Sequence, residues 1–107
     1  MTIRRTNRLN QKKWLKENNH LKILDLGCSN VNFWPEANNF ADIDDYTDHF
    51  KKLNLPYTQI FQNKKLPFKD KEFDYVILSH VMEHVPNLID FKEELVRIAK
   101  AGYIELP

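Results

Sequence analysis

Two aspartates lie near the ends of short apolar runs, where a side chain can meet a ligand. Asp25 falls in the run Leu21–Leu26, just before Gly27, and Asp42 falls seventeen residues later in the run Phe40–Asp44. Glycine at such a place lets the backbone turn tightly and lets a ligand come close. An acid at the end of the second run can accept hydrogen bonds from both hydroxyls of a ribose. Asp42 is therefore a candidate ribose ligand, although Asp25 could equally cap a turn and Asp42 could equally begin a helix.

Two histidines follow the longest apolar run, in the sequence His80-Val-Met-Glu-His84. Imidazole titrates near neutral pH, so His80 and His84 are candidate general bases. The same five residues match the H-x-x-E-H pattern of a zinc peptidase family, in which both histidines on one helix face would hold zinc, with Glu83 nearby. A preceding strand and Pro86 leave little room for such a helix, so we do not favour the zinc site. Each histidine could also serve only the structure, and Glu83 could only position the loop.

Cys28 is the one cysteine among 107 residues, so the chain has no internal disulfide and cannot by itself build a thiolate metal site. A catalytic role for Cys28 is disfavoured, because a lone cysteine more often fills a small apolar space. Apolar residues make up 42% and charged residues 29% of the chain, which is typical of one globular domain. No apolar run approaches the roughly 20 residues that cross a bilayer. We therefore expect a cytoplasmic protein with no membrane contact.

Charge is distributed unevenly along the chain. Residues 1–22 hold seven Lys/Arg and one acid, whereas residues 23–107 hold nine bases and fourteen acids. A basic arm could contact nucleic acid. We favour a leading helix that complements the acidic body of the same chain, because only Trp14 offers an aromatic platform there. Residues 1–20 are thus predicted to form a basic N-terminal helix or arm, ahead of a domain at residues 21–107.

Apolar runs and helical spacing divide the chain into strands and helices. Near-continuous apolarity, as in Phe73–Ser79, is what a strand buried on both faces requires. Helices between strands favour a parallel sheet with crossovers, and ligands of such sheets bind beyond the carboxyl ends of the strands. The prediction is an α/β fold with a mostly parallel five-stranded sheet. Its strands lie at 21–26, 40–44, 58–62, 73–79 and 103–106, and its helices at 7–18, 46–53 and 87–102, the last ended by Gly102.

The most specific pattern in the chain is Leu66-Pro-Phe-Lys-Asp-Lys-Glu-Phe-Asp-Tyr-Val76, followed by Glu83-His-Val85. With Leu24-Asp-Leu-Gly-Cys28 before it and residues 94–107 behind it, this pattern resembles the class I S-adenosylmethionine-dependent methyltransferases. The resemblance covers residues 21–107 and is greatest to the small-molecule branch of that family. It implies a Rossmann-like fold, S-adenosylmethionine as the cofactor, and methyl transfer to a small-molecule or sugar-derived acceptor.

The resemblance also implies roles for individual residues. The first-strand motif would hold the methionine part of the cofactor, the acid after the second strand would bind the ribose, and polar and apolar residues after the third strand would hold the adenine. Residues at the end of the fourth strand would face the transferred methyl group. The implied cofactor ligands are Asp25, Gly27, Cys28, Asp42, Ile43, Asn63 (with Gln62 as its neighbouring alternative), Leu66 and Ser79, and the implied catalytic residues are His80 and His84, with Glu83 beside them.

The sequence departs from the family's usual glycine loop, Gly-x-Gly-x-Gly. Here the loop reads Gly27-Cys-Ser-Asn-Val31, so only the first glycine is present. Ser29 or Asn30 must then adopt any left-handed conformation that the loop requires, and asparagine tolerates it better than most residues. Pro35 interrupts the segment that follows, so we expect the usual first helix to be short or absent.

The chain also stops at the fifth predicted strand, whereas the family normally continues for two more strands and a substrate cap. We therefore expect a cofactor half with little dedicated substrate half. The alternative to an active enzyme is a non-catalytic or partial cofactor-binding module, which needs a partner chain or a missing C-terminal half. The last strand would lie near an open sheet edge, which invites pairing with a second copy.

Overall fold

The computed structural model describes residues 1–62 and 64–106, apart from the side chain of Glu83. Six strands form a single sheet in which every neighbouring pair is parallel, in the order β1-β6-β5-β2-β3-β4. The strands are β1 (Thr2–Ile3), β2 (Ile23–Leu26), β3 (Asn39–Asp42), β4 (Tyr57–Gln59), β5 (Phe73–Ser79) and β6 (Ala99–Glu105), and the α-helices are α1 (Arg8–Glu17), α2 (Thr47–Lys52) and α3 (Leu88–Ile98), with a 3₁₀ turn at Met82–His84.

The order of the strands reverses direction at β2. From β2 the chain moves outward to β3 and β4, then crosses back to β5 on the other side of β2. Such a reversal opens a crevice beyond the carboxyl ends of the strands, because the two connections leave in opposite directions. The crevice here lies beyond β2, between the segments that follow β3 and β5.

Alternate side chains of β5 enter two different cores. Val76 and Leu78 pack on one face of the sheet with Leu95 of α3, while Tyr75 and Ile77 pack on the other face. The second core also contains Leu15 of α1, Phe50 of α2 and the loop residue Trp34. The near-continuous apolarity of β5 is explained by this arrangement, since both faces of the strand are covered. The helices therefore lie on both faces of the sheet.

The predicted strand count was wrong, because the sheet has six strands and not five. The strand that was missed is β1, which pairs Thr2 with Ala101 and Ile3 with Gly102. Two residues are too few to show a strand period, and both are exposed. On this side of the sheet β1 is the edge strand, so β6 lies between β1 and β5. Self-association through a sheet edge stays a prediction.

The end of the third helix was also predicted wrongly. Asn87 caps its start as expected, by accepting a hydrogen bond from Asp90 N at 3.1 Å. The helix ends at Ile98, four residues before Gly102, and Gly102 lies inside β6. A Cβ at Gly102 would lie 2.8 Å from both the Cγ1 and the carbonyl oxygen of Val76. This glycine therefore serves strand packing and not helix capping.

The basic N-terminal segment packs against the rest of the chain. Gln11 and Leu15 of α1 are fully buried, and Gln11 Nε2 donates to the hydroxyl of Tyr75 at 2.9 Å. Lys12 Nζ lies 2.9 Å from a carboxylate oxygen of Glu36. These contacts favour the interpretation that the basic segment complements the chain's own acidic body. The boundary at residue 20 stays a prediction, although residues on both sides of it share one core.

Among residues 1–62 and 64–106, no helix is both long enough and apolar enough to cross a bilayer.

Candidate functional site

Two adjoining clefts occupy the crevice at the carboxyl edge of the sheet. The first cleft, of about 630 Å³, lies beyond β2, β3 and β4 and is walled by the start of α3. The second cleft, of about 600 Å³, lies between the ends of β2 and β5 and the loop that follows β2. Gly27 and His80 line both clefts. An extended ligand can therefore lie across the crevice, with one end in each cleft.

The predicted site residues converge on these two clefts, with one exception. Asn63 lies outside the described residues, although its neighbour Gln62 lines the first cleft. Besides the shared Gly27 and His80, the first cleft is lined by Asp42, Ile43, Leu66 and His84, and the second by Asp25, Cys28 and Ser79.

The loop after β2 is held in a conformation that needs glycine at one position. Gly27 has a φ of +78°, and a Cβ there would lie only 2.4 Å from Val81 Cγ2. Of the two residues expected to turn left-handed, Ser29 does so, with a φ of +63°. The expected loss of the usual first helix is observed, since residues 27–38 are all described and contain no helix.

Asp42 joins this loop to the end of β3. One of its carboxylate oxygens accepts a hydrogen bond from Ser29 N at 2.8 Å, and the other accepts one from Ile43 N at 2.7 Å. Each carboxylate oxygen has a second lone pair and can accept a further hydrogen bond. Asp42 therefore presents a fixed acceptor on the wall of the first cleft.

Asp25 is almost completely buried, with 1% of its surface exposed. Its carboxylate accepts a hydrogen bond from Trp34 N at 2.7 Å, which anchors the far end of the loop. Burial raises the pKa of Asp25 to about 7, and the negative charge of Asp42 acts in the same direction against the lowering effect of the Trp34 N–H. At neutral pH the group is therefore divided between its acid and carboxylate forms.

Cys28 is also buried, and burial together with the charges of Asp25 and Asp42 raises the pKa of its thiol. Because the thiolate is the reactive form, a raised pKa suppresses nucleophilic chemistry. The side chain of Cys28 fills space beside the second cleft, which agrees with the prediction that this cysteine packs as a small apolar residue and is not a nucleophile.

Arg8 and Trp34 line the second cleft, and neither was predicted as a site residue. The guanidinium of Arg8 lies 4.4 Å from the centre of the Trp34 ring. The indole Nε1 of Trp34 is buried and has no hydrogen-bond partner among the described residues. An unsatisfied buried donor is costly, and a nearby anionic acceptor would relieve that cost. Only the excess of basic residues in residues 1–22 could have indicated Arg8 as a site residue. No feature of the sequence spacing indicated Trp34.

Glu105, at the end of β6, collects several donors beside the second cleft and was not predicted either. It accepts hydrogen bonds from Ser79 Oγ at 2.8 Å, from the Tyr103 hydroxyl at 2.9 Å and from Arg8. Burial opposes ionisation, but the hydrogen bonds from Ser79 and Tyr103, together with the charge and hydrogen bond of Arg8, outweigh it and lower the pKa of Glu105. His80 Nε2 lies 3.2 Å from the same carboxylate.

Glu94 and Arg97 of α3 hold the segment that brings Leu66 to the first cleft. Glu94 accepts a hydrogen bond from Leu66 N at 2.7 Å, while Arg97 donates to Leu66 O at 2.9 Å and to Phe68 O at 2.6 Å. Arg97 also donates to Glu94 at 2.7 Å, which sets both side chains in one orientation. The segment that forms this wall of the first cleft is therefore attached to α3 by the side chains of Glu94 and Arg97.

The histidines do not form the arrangement that a zinc peptidase motif requires. His80 directly follows β5, while His84 ends the short 3₁₀ turn Met82–His84, so the two do not share a helix face. No group of three or more His, Cys, Asp or Glu that could hold a metal occurs in the described part of the chain. The geometry thus gives no support to the zinc alternative.

The parallel sheet, covered by helices on both faces and open at a reversal of strand order, defines a Rossmann-like architecture. A family model described as a methyltransferase domain matches residues 24–104. Because the match covers most of the 107 residues, the chain belongs to this methyltransferase family. The resemblance carried by residues 21–107 is thereby confirmed.

Solved structures share the fold at low sequence identity. A SAM-dependent methyltransferase from Aquifex aeolicus matches with a TM-score of 0.60 and 16% identity, over 83% of this chain and 58% of that one. A SAM-dependent methyltransferase from Thermotoga maritima, described as a possible histamine N-methyltransferase, matches with a TM-score of 0.64 and 15% identity, over 90% of this chain and 56% of that one. This chain therefore spans less than two thirds of either structure. No curated protein is significantly similar to the chain.

Proposed function

We propose that the chain binds S-adenosylmethionine across the two clefts and takes part in transfer of its methyl group to a small-molecule or sugar-derived acceptor. The observation that carries the proposal is the carboxylate of Asp42, fixed by two backbone N–H groups on the wall of the first cleft. Membership of the methyltransferase family supports the cofactor. The acceptor class is supported by the resemblance of residues 66–85 to the small-molecule branch.

The two clefts differ in chemistry as the two ends of this cofactor do. The first cleft offers Ile43 and Leu66 as apolar surface for an adenine and Asp42 as the acceptor for a ribose. The second cleft offers the guanidinium of Arg8, which suits the carboxylate of the methionine part. The residues present therefore fit the cofactor at both ends.

When bound, the cofactor supplies a sulfonium-activated methyl group, so the protein mainly has to provide proximity and alignment. Gly27 and Asp42 would align the cofactor along the carboxyl edge of the sheet, and His80 lies where the two clefts meet. An acceptor that carries a proton on its attacking atom needs a base, and His80 and His84 are the candidate groups. The alternative, a non-catalytic or partial cofactor-binding module that needs a partner chain or a missing C-terminal half, stays a prediction. The chain spans 58% and 56% of the two related structures.

Asp42→Ala is expected to weaken the affinity for S-adenosylmethionine and for its demethylated product at least about tenfold, because hydrogen bonds to a charged group contribute about 1.5–3 kcal/mol. Isothermal titration calorimetry with both compounds measures this loss. Asp44→Ala is the matched control, since Asp44 is exposed on the same segment and lines neither cleft. Equal affinities of the parent and Asp42→Ala would remove the proposed ribose contact, and no binding by the folded parent would remove the proposal.

A further inference from the structure

We propose that Glu105 is a positioning residue that holds the imidazole of His80 through Nε2 and leaves Nδ1 as the atom that accepts the acceptor's proton. The inference rests on the proposed function and names a residue that neither the motifs nor the family resemblance indicated. It is carried by the contacts between the ends of β5 and β6.

The carboxylate of Glu105 is held in one orientation. Its side chain is 15% exposed and lies at the end of β6. Ser79 Oγ donates to one carboxylate oxygen, and the Tyr103 hydroxyl donates to the other. Arg8, from α1, donates to the same oxygen as Ser79. Hydrogen bonds on both oxygens, one of them from a charged donor, leave the carboxylate little freedom to rotate.

His80 is attached to Glu105 at two points. Its backbone N donates to the carbonyl oxygen of Glu105 at 2.7 Å, and its Nε2 lies 3.2 Å from the Glu105 carboxylate. The φ of His80 is +58°, a left-handed conformation that is uncommon outside glycine and carries a steric cost. The two contacts offset this cost and place the imidazole where both clefts meet.

A neutral imidazole bound in this way has a defined task for each nitrogen. Because Nε2 lies 3.2 Å from the Glu105 carboxylate, the proposal places the imidazole proton on Nε2 and the free lone pair on Nδ1. As the acceptor's heteroatom bonds to the methyl carbon, the bond from that carbon to sulfur breaks and its electron pair stays on sulfur. The acceptor's proton passes to Nδ1, and the resulting imidazolium lies beside the negative charge of Glu105. Arg8, which donates to the same carboxylate, opposes this stabilisation.

The position of the imidazole proton tests the proposal in the ligand-free full chain. Long-range ¹H–¹⁵N correlation spectra distinguish Nε2–H from Nδ1–H, and loss of one signal set in His80→Asn assigns His80 among the four histidines. The parent is expected to hold the proton on Nε2 alone. In Glu105→Ala the two ring ¹⁵N resonances are expected to move toward each other as the tautomers mix. A parent that already shows mixed tautomers, or a proton on Nδ1, would overturn the proposal even if Glu105→Ala failed to fold.

The rate of chemical modification of His80 gives a second test, which reports on the imidazole itself and not only on whether the protein is folded. Carbethoxylation of His80 at Nε2 by diethyl pyrocarbonate is expected to be about fivefold faster in Glu105→Ala, because loss of a contact worth roughly 1 kcal/mol lets the proton leave Nε2 and gives that nitrogen a reactive lone pair for more of the time. Glu36→Gln is the control, since it loosens the Lys12 contact of α1 without touching Glu105. An equal increase in the control would assign the effect to α1 and overturn the role of Glu105. Binding of S-adenosylmethionine by the parent is measured separately by calorimetry. A failure of the proposed function is therefore distinguished from a failure of the proposed role of Glu105.

Discussion

Gly27→Ala is expected to lower the free energy of unfolding by about 3 kcal/mol, through crowding and backbone strain together. The added Cβ would lie 2.4 Å from Val81 Cγ2, and the φ of +78° disfavours any residue with a Cβ. Because Gly27 lines both clefts, the same change is expected to weaken cofactor binding. Urea unfolding measures the stability, and calorimetry measures the affinity.

A double-mutant cycle separates the two causes of the Gly27 effect. Val81→Ala removes the atom that the new Cβ would meet, so adding it to Gly27→Ala is expected to recover part of the loss as a positive coupling. Ser29→Gly is the control for strain alone, since Ser29 already carries a side chain at a φ of +63°. Unchanged unfolding midpoints in Gly27→Ala would contradict the description of this turn.

The contribution of Asp25 to the free energy of unfolding is expected to fall by about 3 kcal/mol as the pH rises from 4 to 7. The unfolded carboxyl loses its proton near its ordinary pKa of 3.8, whereas burial keeps the folded group protonated to about 7. Between these values the native state binds more protons than the unfolded state, so its stability declines with rising pH. Denaturant titrations at a series of pH values measure this slope.

Asp25→Asn is the variant that isolates the effect. The amide oxygen can still accept the hydrogen bond from Trp34 N, but the side chain no longer titrates. The variant is expected to lose the Asp25 contribution to the slope and to equal or exceed the parent in stability above pH 7. Glu94 and Glu105 have lowered pKa values, so their contributions are lost at lower pH, as the solution is acidified through the pKa of the folded groups. A variant with the same slope as the parent would contradict the assignment to Asp25.

Local pattern predicted much of the sheet and of the first cleft. The apolar run Phe73–Ser79 is β5 with the predicted bounds, and Asn87 caps the following helix. Gly27 and Asp42 lie at strand ends, and the parallel topology brings such ends together whatever their separation in sequence. These features depend on a few neighbouring residues or on the direction of the strands, which is why spacing was sufficient.

The remaining features depend on contacts between distant parts of the chain. Arg8 and Glu105 are 97 residues apart, and no periodicity relates them. The two-residue β1 forms because it pairs with the edge of β6. Position 102 of β6 requires glycine because Val76 leaves no space there for a side chain. In each case the partner decides the role, and the partner becomes visible only when the chain is folded.

The most direct test of the account is to map the binding of the demethylated cofactor product on the ¹⁵N-labelled chain by amide chemical-shift changes. Saturating, concentration-dependent changes are expected at Gly27, Ser29, Ile43 and Leu66, with little change along α2, which lines neither cleft. No change at any amide, or changes confined to a surface away from both clefts, would contradict the claim that an adenosyl compound binds at this edge of the sheet.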